Sequence, residues 1–168
     1  IYQCGTCGLI QHASPPVPYY KNVIRATAFS DSMAAFRKKQ LGTWIKKWDL
    51  ASSYIVEAGS GKGEYLDILR DLGCSHLYGI ENSSENTIFL KQNGYEYHQG
   101  FLDKTFNNPW SHEFKALVCF NFLEHWPDLK DGLRKIKDLL QPNGVALIEV
   151  PNFSHMIESG VFSEFTAD

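Results

Sequence analysis

Residues 54–64 read Tyr54-Ile55-Val56-Glu57-Ala58-Gly59-Ser60-Gly61-Lys62-Gly63-Glu64. An apolar run gives way here to a loop with glycine at every second position. Tyr54 to Glu57 predicts a short strand. Tyr65, Ile68, Leu69 and Leu72 then recur at i, i+3, i+4 and i+7, which predicts a helix closed by Gly73.

The alternation continues downstream. His76 to Ile80 is a second strand, closed by Glu81. Ser83 or Ser84 caps a helix through Ile88, Phe89 and Leu90 that ends at Asn93-Gly94. Tyr95 to Gln99 is a third strand and Lys115 to Phe120 a fourth. Asp128 caps a helix with Leu129, Leu133, Ile136, Leu139 and Leu140 inward. Pro142-Asn143-Gly144 is a turn, and Val145 to Val150 a fifth strand. Strands alternating with helices imply parallel βαβ units. Near-continuous apolar strands imply a sheet covered on both faces. Right-handed crossovers then make the expected fold an α/β, doubly wound, mainly parallel sheet with helices on both faces. Such sheets bind ligands beyond the carboxyl ends of their strands, where Glu57, Glu81, Asn121 and Glu149 fall.

Upstream, residues 30–48 predict a helix with Ser30, Asp31 and Ser32 as cap candidates. Met33, Phe36, Leu41, Trp44, Ile45 and Trp48 form its inward face, and Gly42 is a point of weakness or a break. Before it, Pro15, Pro16 and Pro18 mark an extended connector. The expected organisation is therefore residues 1–20 as a cysteine knuckle and proline-rich connector, 21–50 as a helical segment, and 51–168 as the core.

The whole chain has 168 residues, room for one domain or one domain with a small appendage. Sixteen basic against nineteen acidic residues leave a net charge of −3, which speaks against a nucleic-acid partner. No apolar run approaches the roughly 18 residues of a membrane span. The first residues, Ile1-Tyr2-Gln3-Cys4, are neither an initiator Met nor a signal peptide, so the chain is expected to begin inside a longer protein. Cys74 and Cys119 lie in apolar segments as buried free thiols, a pattern that suits a reducing, cytoplasmic location. Cys4-Gly5-Thr6-Cys7-Gly8 is a tight knuckle able to present two thiolates to one metal.

The loop chemistry narrows the ligand. A dinucleotide fingerprint, G-x-G-x-x-G/A, is met at Gly59 and Gly61 but fails at Glu64, since the third glycine is Gly63. A carboxylate in the first helical turn repels a pyrophosphate seated on the helix N-terminus. The phosphate-loop pattern also fails, because Lys62 is followed by Gly63. A ligand carrying adenosine but no phosphates fits this loop better.

Val56 to Glu64 resembles the first motif of class I S-adenosylmethionine-dependent methyltransferases, which have a Rossmann-like fold. The resemblance extends over residues 53–153. Glu81 matches the family's second acidic position. Asn121-Phe122-Leu123-Glu124-His125-Trp126-Pro127-Asp128 resembles its segment after strand four, and Leu140-Gln141-Pro142-Asn143-Gly144-Val145 its turn before strand five. Cys4-x-x-Cys7-Gly8-Leu9-Ile10-Gln11 resembles half of the zinc knuckle that precedes many sugar-modifying members. Tyr19-Tyr20, Val23 to Ala26 and Glu149 to Phe153 are similar to enzymes of surface-glycan and sugar pathways. The family normally continues past strand five with further elements of the acceptor pocket, and a first cysteine pair lies upstream of the knuckle, so both are expected beyond the residues given.

The resemblance implies roles. Gly59, Gly61 and Gly63 would bring the backbone to the methionine part of the cofactor, and Glu57 would orient the loop or hold the cofactor's ammonium. Glu81, followed by Asn82, would grip the ribose diol. Phe101, Leu102 and Asp103 would seat adenine, and Asn121 would face the methionine end. Arg25 would neutralise the methionine carboxylate. His125 would be the base for a hydroxyl or carbon acceptor or would link its loop to the sheet, with Glu124 under the same alternatives and Asn152 and His155 on the acceptor side. Cys4 and Cys7 supply two of the four ligands of a structural zinc, with His12 as a candidate third. The expected activity is methyl transfer from S-adenosylmethionine, leaving S-adenosylhomocysteine, to a sugar-like small molecule. The rival readings are a non-catalytic binding or scaffold module, opposed by the Glu-His loop, and a nicotinamide oxidoreductase, opposed by Glu64.

Overall fold

Five short strands pair edge to edge into one parallel sheet. The computed structural model describes residues 2–11 and 30–160. It begins with an antiparallel hairpin of β1 (Tyr2–Gln3) and β2 (Ile10–Gln11). There follow α1 (Asp31–Trp48), β3 (Tyr54–Ala58), α2 (Glu64–Asp71), β4 (His76–Glu81), α3 (Ser84–Gln92) and β5 (Glu96–Gln99). Then come β6 (Phe114–Phe120), α4 (Leu129–Leu139), β7 (Leu140–Glu149) and α5 (Phe153–Glu158), with a 3-10 turn at Leu123–His125. The sheet runs β5-β4-β3-β6-β7, with every neighbouring pair parallel. The chain builds outward from β3 through β4 to β5, then returns to place β6 on the other side of β3. That reversal opens a crevice between the carboxyl ends of β3 and β6, where an open α/β sheet takes its ligand.

Side-chain alternation divides the interior into two cores. Ile55, Ala116, Val118 and Phe120 meet Leu41, Trp44 and Ile45 of α1, Leu66 and Leu69 of α2 and Leu90 of α3. Val56, Ala58, Leu117 and Cys119 meet Ile136 and Leu139 of α4, together with Phe101, Phe106 and Trp126. Helices thus cover both faces, as the apolar strands require. Phe114 shares a face with Leu117 despite the odd spacing, because the register with β7 shifts between Phe114 and Ala116. Within β7, Leu140 pairs with Phe114 and Val145 with Ala116, so the expected Pro142-Asn143-Gly144 turn is an excursion inside the strand.

The helix starts follow from capping. Ser30 Oγ accepts from Met33 N (3.2 Å), Ser83 Oγ from Asn86 N (3.3 Å), Asp128 Oδ1 from Asp131 N (3.0 Å) and Asn152 Oδ1 from His155 N (3.2 Å). Ser83, not Ser84, is therefore the cap of α3.

Two sequence expectations are corrected. The inward face of α1 contains Leu41, Trp44 and Ile45, but Met33, Phe36 and Trp48 are exposed and Arg37 is fully buried in their place. The helix also passes unbroken through Gly42, where an added Cβ would make only an ordinary contact with Leu72 at 3.5 Å. On α4, Leu129 and Leu133 face outward, leaving Ile136 and Leu139 to anchor the helix.

All four cysteines are free, with Cys74 and Cys119 buried. No described helix is long and apolar enough to cross a membrane. The proline connector, His12 and Arg25 lie outside the described residues.

Candidate functional site

The glycine loop starts where β3 ends. Gly59 N and Ser60 N both donate to Ile80 O (2.9 and 3.1 Å), and Gly63 N donates to Ser60 O (2.8 Å). Gly59, Gly61 and Gly63 have φ of 75°, 55° and 96°, a region that side chains with a Cβ rarely adopt. Gly59 is required twice over, because a Cβ there would stand 2.5 Å from the Phe122 ring. That ring packs against Phe101 and Trp126, with centroids 5.2 and 6.0 Å away. The segment after β6 therefore closes directly over the loop.

Glu81 brackets the loop from β4. One carboxylate oxygen accepts from Gly61 N (2.8 Å); the other accepts from Ser83 N (2.7 Å) and Asn86 Nδ2 (3.4 Å). Its first task is thus to hold the loop against the start of α3, with its remaining lone pairs left for a ligand. Asn82 follows it, half-buried.

Glu57 is the electrostatic centre. Its side chain is buried, and Oε2 has no hydrogen-bond partner among the described residues. Burial first, then the carboxylates of Glu64 and Glu81, holds its proton on well above the usual carboxylate range, with Arg37 acting in the opposite sense. Three carboxylates thus converge on one loop, and the nearby Lys62 ammonium lies over the Phe89 ring at 4.8 Å. Ser60 Oγ is buried and unpartnered beside them. Such a loop opposes a diphosphate and favours a cation.

Phe101, Leu102 and Asp103 come together after β5. With Trp126 and Pro127 they line a cavity of about 240 Å³ whose rim carries Asp128 and Asp131. Trp126 is buried with Nε1 unpartnered, and its ring occupies the space over Gly132, where a Cβ would stand 2.0 Å away. A larger open hollow of about 660 Å³, between Glu113, Leu133, Lys137 and Gln141, lies at the opposite, amino-terminal ends of β6 and β7.

Asn121 directly follows β6 with φ of 47°, and its N–H donates to Glu149 O (2.9 Å). His125 is exposed in the 3-10 turn, and its ring makes no hydrogen bond to the described residues, so no bond links that ring to the sheet. Cys4 is half-buried and Cys7 exposed on the hairpin, where Cys4 N donates to Leu9 O (2.8 Å) and Gly8 N to Cys4 O (2.9 Å). Hydrogen bonds from the Cys7 and Thr6 backbone draw the Cys4 thiol below its ordinary range. Among the described residues no three His, Cys, Asp or Glu side chains gather as a metal site.

Sequence reasoning missed Arg37 and Trp126. Arg37 carries a bidentate ion pair to Glu149, 112 positions away. A helical wheel scores an arginine as surface, and nothing local reveals its partner. Trp126 did leave a local sign: Gly132, an otherwise unfavourable glycine inside α4, is the seat of its ring.

The strand order and the crevice define an open α/β protein with a cleft at its topological switch point. The chain belongs to a methyltransferase family: the family model described as "Methyltransferase domain" matches residues 31–163. No curated protein sequence matches it significantly. Solved structures similar in fold include DesVI from Streptomyces venezuelae, at 18% identity over 73% of this chain and 52% of that one, with a TM-score of 0.60. The plantazolicin methyltransferase BpumL, solved with SAH, is 17% identical over 84% of this chain and 54% of that one, with a TM-score of 0.64. CalS10, an amino pentose methyltransferase from Micromonospora echinaspora solved with SAM, is 19% identical over 79% and 61%, with a TM-score of 0.57. The chain spans about half the length of these structures.

Proposed function

We propose that this chain is the cofactor-binding part of an S-adenosylmethionine-dependent methyltransferase acting on a sugar, nucleotide-sugar or related small metabolite, in glycan or capsule-type biosynthesis. One observation carries the cofactor: Glu57, a buried acid with an unpartnered oxygen, stands at the mouth of a loop that Glu64 and Glu81 make still more negative. That loop suits an ammonium or sulfonium and opposes a diphosphate, which separates this cofactor from a nicotinamide dinucleotide.

The residues fit the cofactor end to end. Glu57 receives the ammonium of the methionyl part. The backbone of Gly59, Gly61 and Gly63 lies under it, and Asn121 faces it from β6. Arg25 neutralises the methionyl carboxylate from the N-terminal segment. Glu81, already fixed by Gly61 and Ser83, accepts from the ribose hydroxyls, with Asn82 beside it. Phe101 and Leu102 supply the adenine cavity, and Asp103 accepts from the adenine amino group. When bound, the cofactor supplies an activated methyl group on a sulfonium, so the protein's work is alignment and exclusion of water.

The acceptor enters between α1 and the exit of β7, past Asn152 and His155. His125, exposed on the same rim with its ring unengaged, takes the proton of the acceptor hydroxyl. A sugar-like acceptor is supported by the likeness to CalS10, whose acceptor class is an amino pentose. Cys4 and Cys7 supply two thiolates of a structural zinc, completed by ligands outside the described residues.

The test is S-adenosylhomocysteine release from the wild-type protein across a panel of nucleotide sugars. Turnover with one of them is expected, and no turnover with any of them contradicts the acceptor class. For that acceptor, His125→Asn should lower kcat about 100-fold or more while leaving the Kd for S-adenosylhomocysteine within about twofold. An unchanged kcat removes His125 from proton transfer.

A further inference from the structure

Glu149 closes β7, and its carboxylate is held by Arg37 of α1. Arg37 Nη1 donates to Oε2 at 2.7 Å and Nη2 donates to Oε1, while Gln40 Oε1 accepts from Nη1 at 2.6 Å. The guanidinium lies 4.1 Å from the Phe120 ring centroid and 5.3 Å from that of Tyr65. Phe120 is the last residue of β6, and Tyr65 is the second residue of α2, just past the glycine loop. Arg37 therefore sits over the mouth of the crevice, against both elements that frame the loop.

The pair is asymmetric. The Arg37 side chain is 1% exposed and that of Glu149 33%, so the bridge opens to solvent at its carboxylate end. Among the described residues Arg37 Nε has no hydrogen-bond partner, and neither has Glu57 Oε2. The Arg37 charge also reaches Glu57, where it opposes the burial that keeps the proton on. One unpartnered buried donor and one unpartnered buried acceptor thus share the carboxyl end of the sheet. Together they complement the two charges of an α-amino-acid group, except that a protein carboxylate already fills the cationic half.

We propose that Glu149 is a resident carboxylate that occupies Arg37 until the carboxylate of the cofactor's amino-acid tail displaces it. This rests on the cofactor reading above and extends it. Arg37 becomes a second cationic anchor for the tail carboxylate, alongside the role proposed for Arg25, and each binding event sets the Glu149 carboxylate free at the end of β7, on the acceptor side. No bond is made or broken; one carboxylate replaces another on the same guanidinium. An internal competitor lowers apparent affinity by the fraction of the protein it occupies.

The exchange separates two ligands that share adenosine and a thioether sulfur. S-adenosylhomocysteine has the amino-acid tail and methylthioadenosine lacks it. Calorimetry is run with both on wild type, Arg37→Met and Glu149→Gln, after the melting temperature has shown each variant folded. Arg37→Met should weaken S-adenosylhomocysteine about tenfold or more and methylthioadenosine by less than about twofold. Glu149→Gln should tighten S-adenosylhomocysteine about threefold or more, with methylthioadenosine again unmoved. Should Arg37→Met fail to fold, Glu149→Gln carries the test alone. Parallel changes for the two ligands, or no tightening in Glu149→Gln, overturn the exchange and leave the cofactor reading standing. Wild-type protein that binds neither ligand overturns both.

Discussion

Glu57 illustrates how one side chain can be a cost to the fold and a gain to the site. Buried among carboxylates, it keeps its proton to a higher pH in the folded chain than in the unfolded one. The sign follows from proton linkage: the folded state binds more protons, so the contribution of Glu57 to stability is fullest at low pH. It is lost as pH rises from the ordinary carboxylate value of 4.5 through the raised folded value. Glu57→Gln should therefore flatten the fall in melting temperature as pH rises above the ordinary carboxylate value. The same variant should lose roughly tenfold in affinity for S-adenosylhomocysteine, because Glu57 can give up its proton to pair with an arriving ammonium and an amide cannot become anionic. A melting profile as steep as that of wild type would show that Glu57 is not the group titrating. Wild-type affinity in the variant would remove it from the ligand. Glu57 at the end of its strand and the glycines after it were legible as residues; their electrostatics were not. That Glu64 and Glu81 converge on Glu57, and that Glu81 bonds Gly61 and Ser83, depend on distances that spacing alone does not give.

The elements were legible wherever a local rule decides them. Strands β3, β4 and β6 declare themselves as apolar runs, and the caps Ser30, Ser83 and Asp128 sit at the starts of their helices. Faces were less legible, because burial is settled by partners far along the chain. Arg37 displaces Phe36 from the interior of α1 since Glu149 waits at the end of β7. Gly42 does not break α1, because Leu41, Trp44 and Ile45 on either side of it are packed into the core. Gly132 in α4 makes the same point with a sign that can be measured. In an isolated helix Gly132→Ala would stabilise by roughly 1 kcal/mol. Here the new Cβ would fall 2.0 Å from the Trp126 ring, so the variant should instead be destabilised by about 1–3 kcal/mol. Urea unfolding checks the sign, and a shift in tryptophan emission should accompany it as the wall of the cavity beside Phe101 and Leu102 moves. A more stable Gly132→Ala would mean that Trp126 is not seated on α4.

The whole molecule resolves into a scaffold and a cleft with separate logics. The strand order β5-β4-β3-β6-β7 follows from parallel pairing and right-handed crossovers, so the general architecture was accessible from pattern alone. The cleft depends on what that order brings together: a glycine loop from β3, an acid from β4, an aromatic pocket after β5, an aromatic cover after β6 and a clamped carboxylate at the end of β7. The loop, the acid and the segments after β5 and β6 lie next to their strands, where the sequence marks them as candidates. The clamp on Glu149 is assembled across the molecule, because Arg37 reaches it from α1, 112 positions away. The central claim is that this assembly receives a phosphate-free adenosyl compound with an α-amino-acid tail. Titration calorimetry on the protein with S-adenosylhomocysteine, and in parallel with NAD and NADP, tests it most directly. The account predicts saturable one-to-one binding of S-adenosylhomocysteine and no heat of binding from either dinucleotide. A folded protein that ignores S-adenosylhomocysteine, or that binds a dinucleotide in its place, would contradict it.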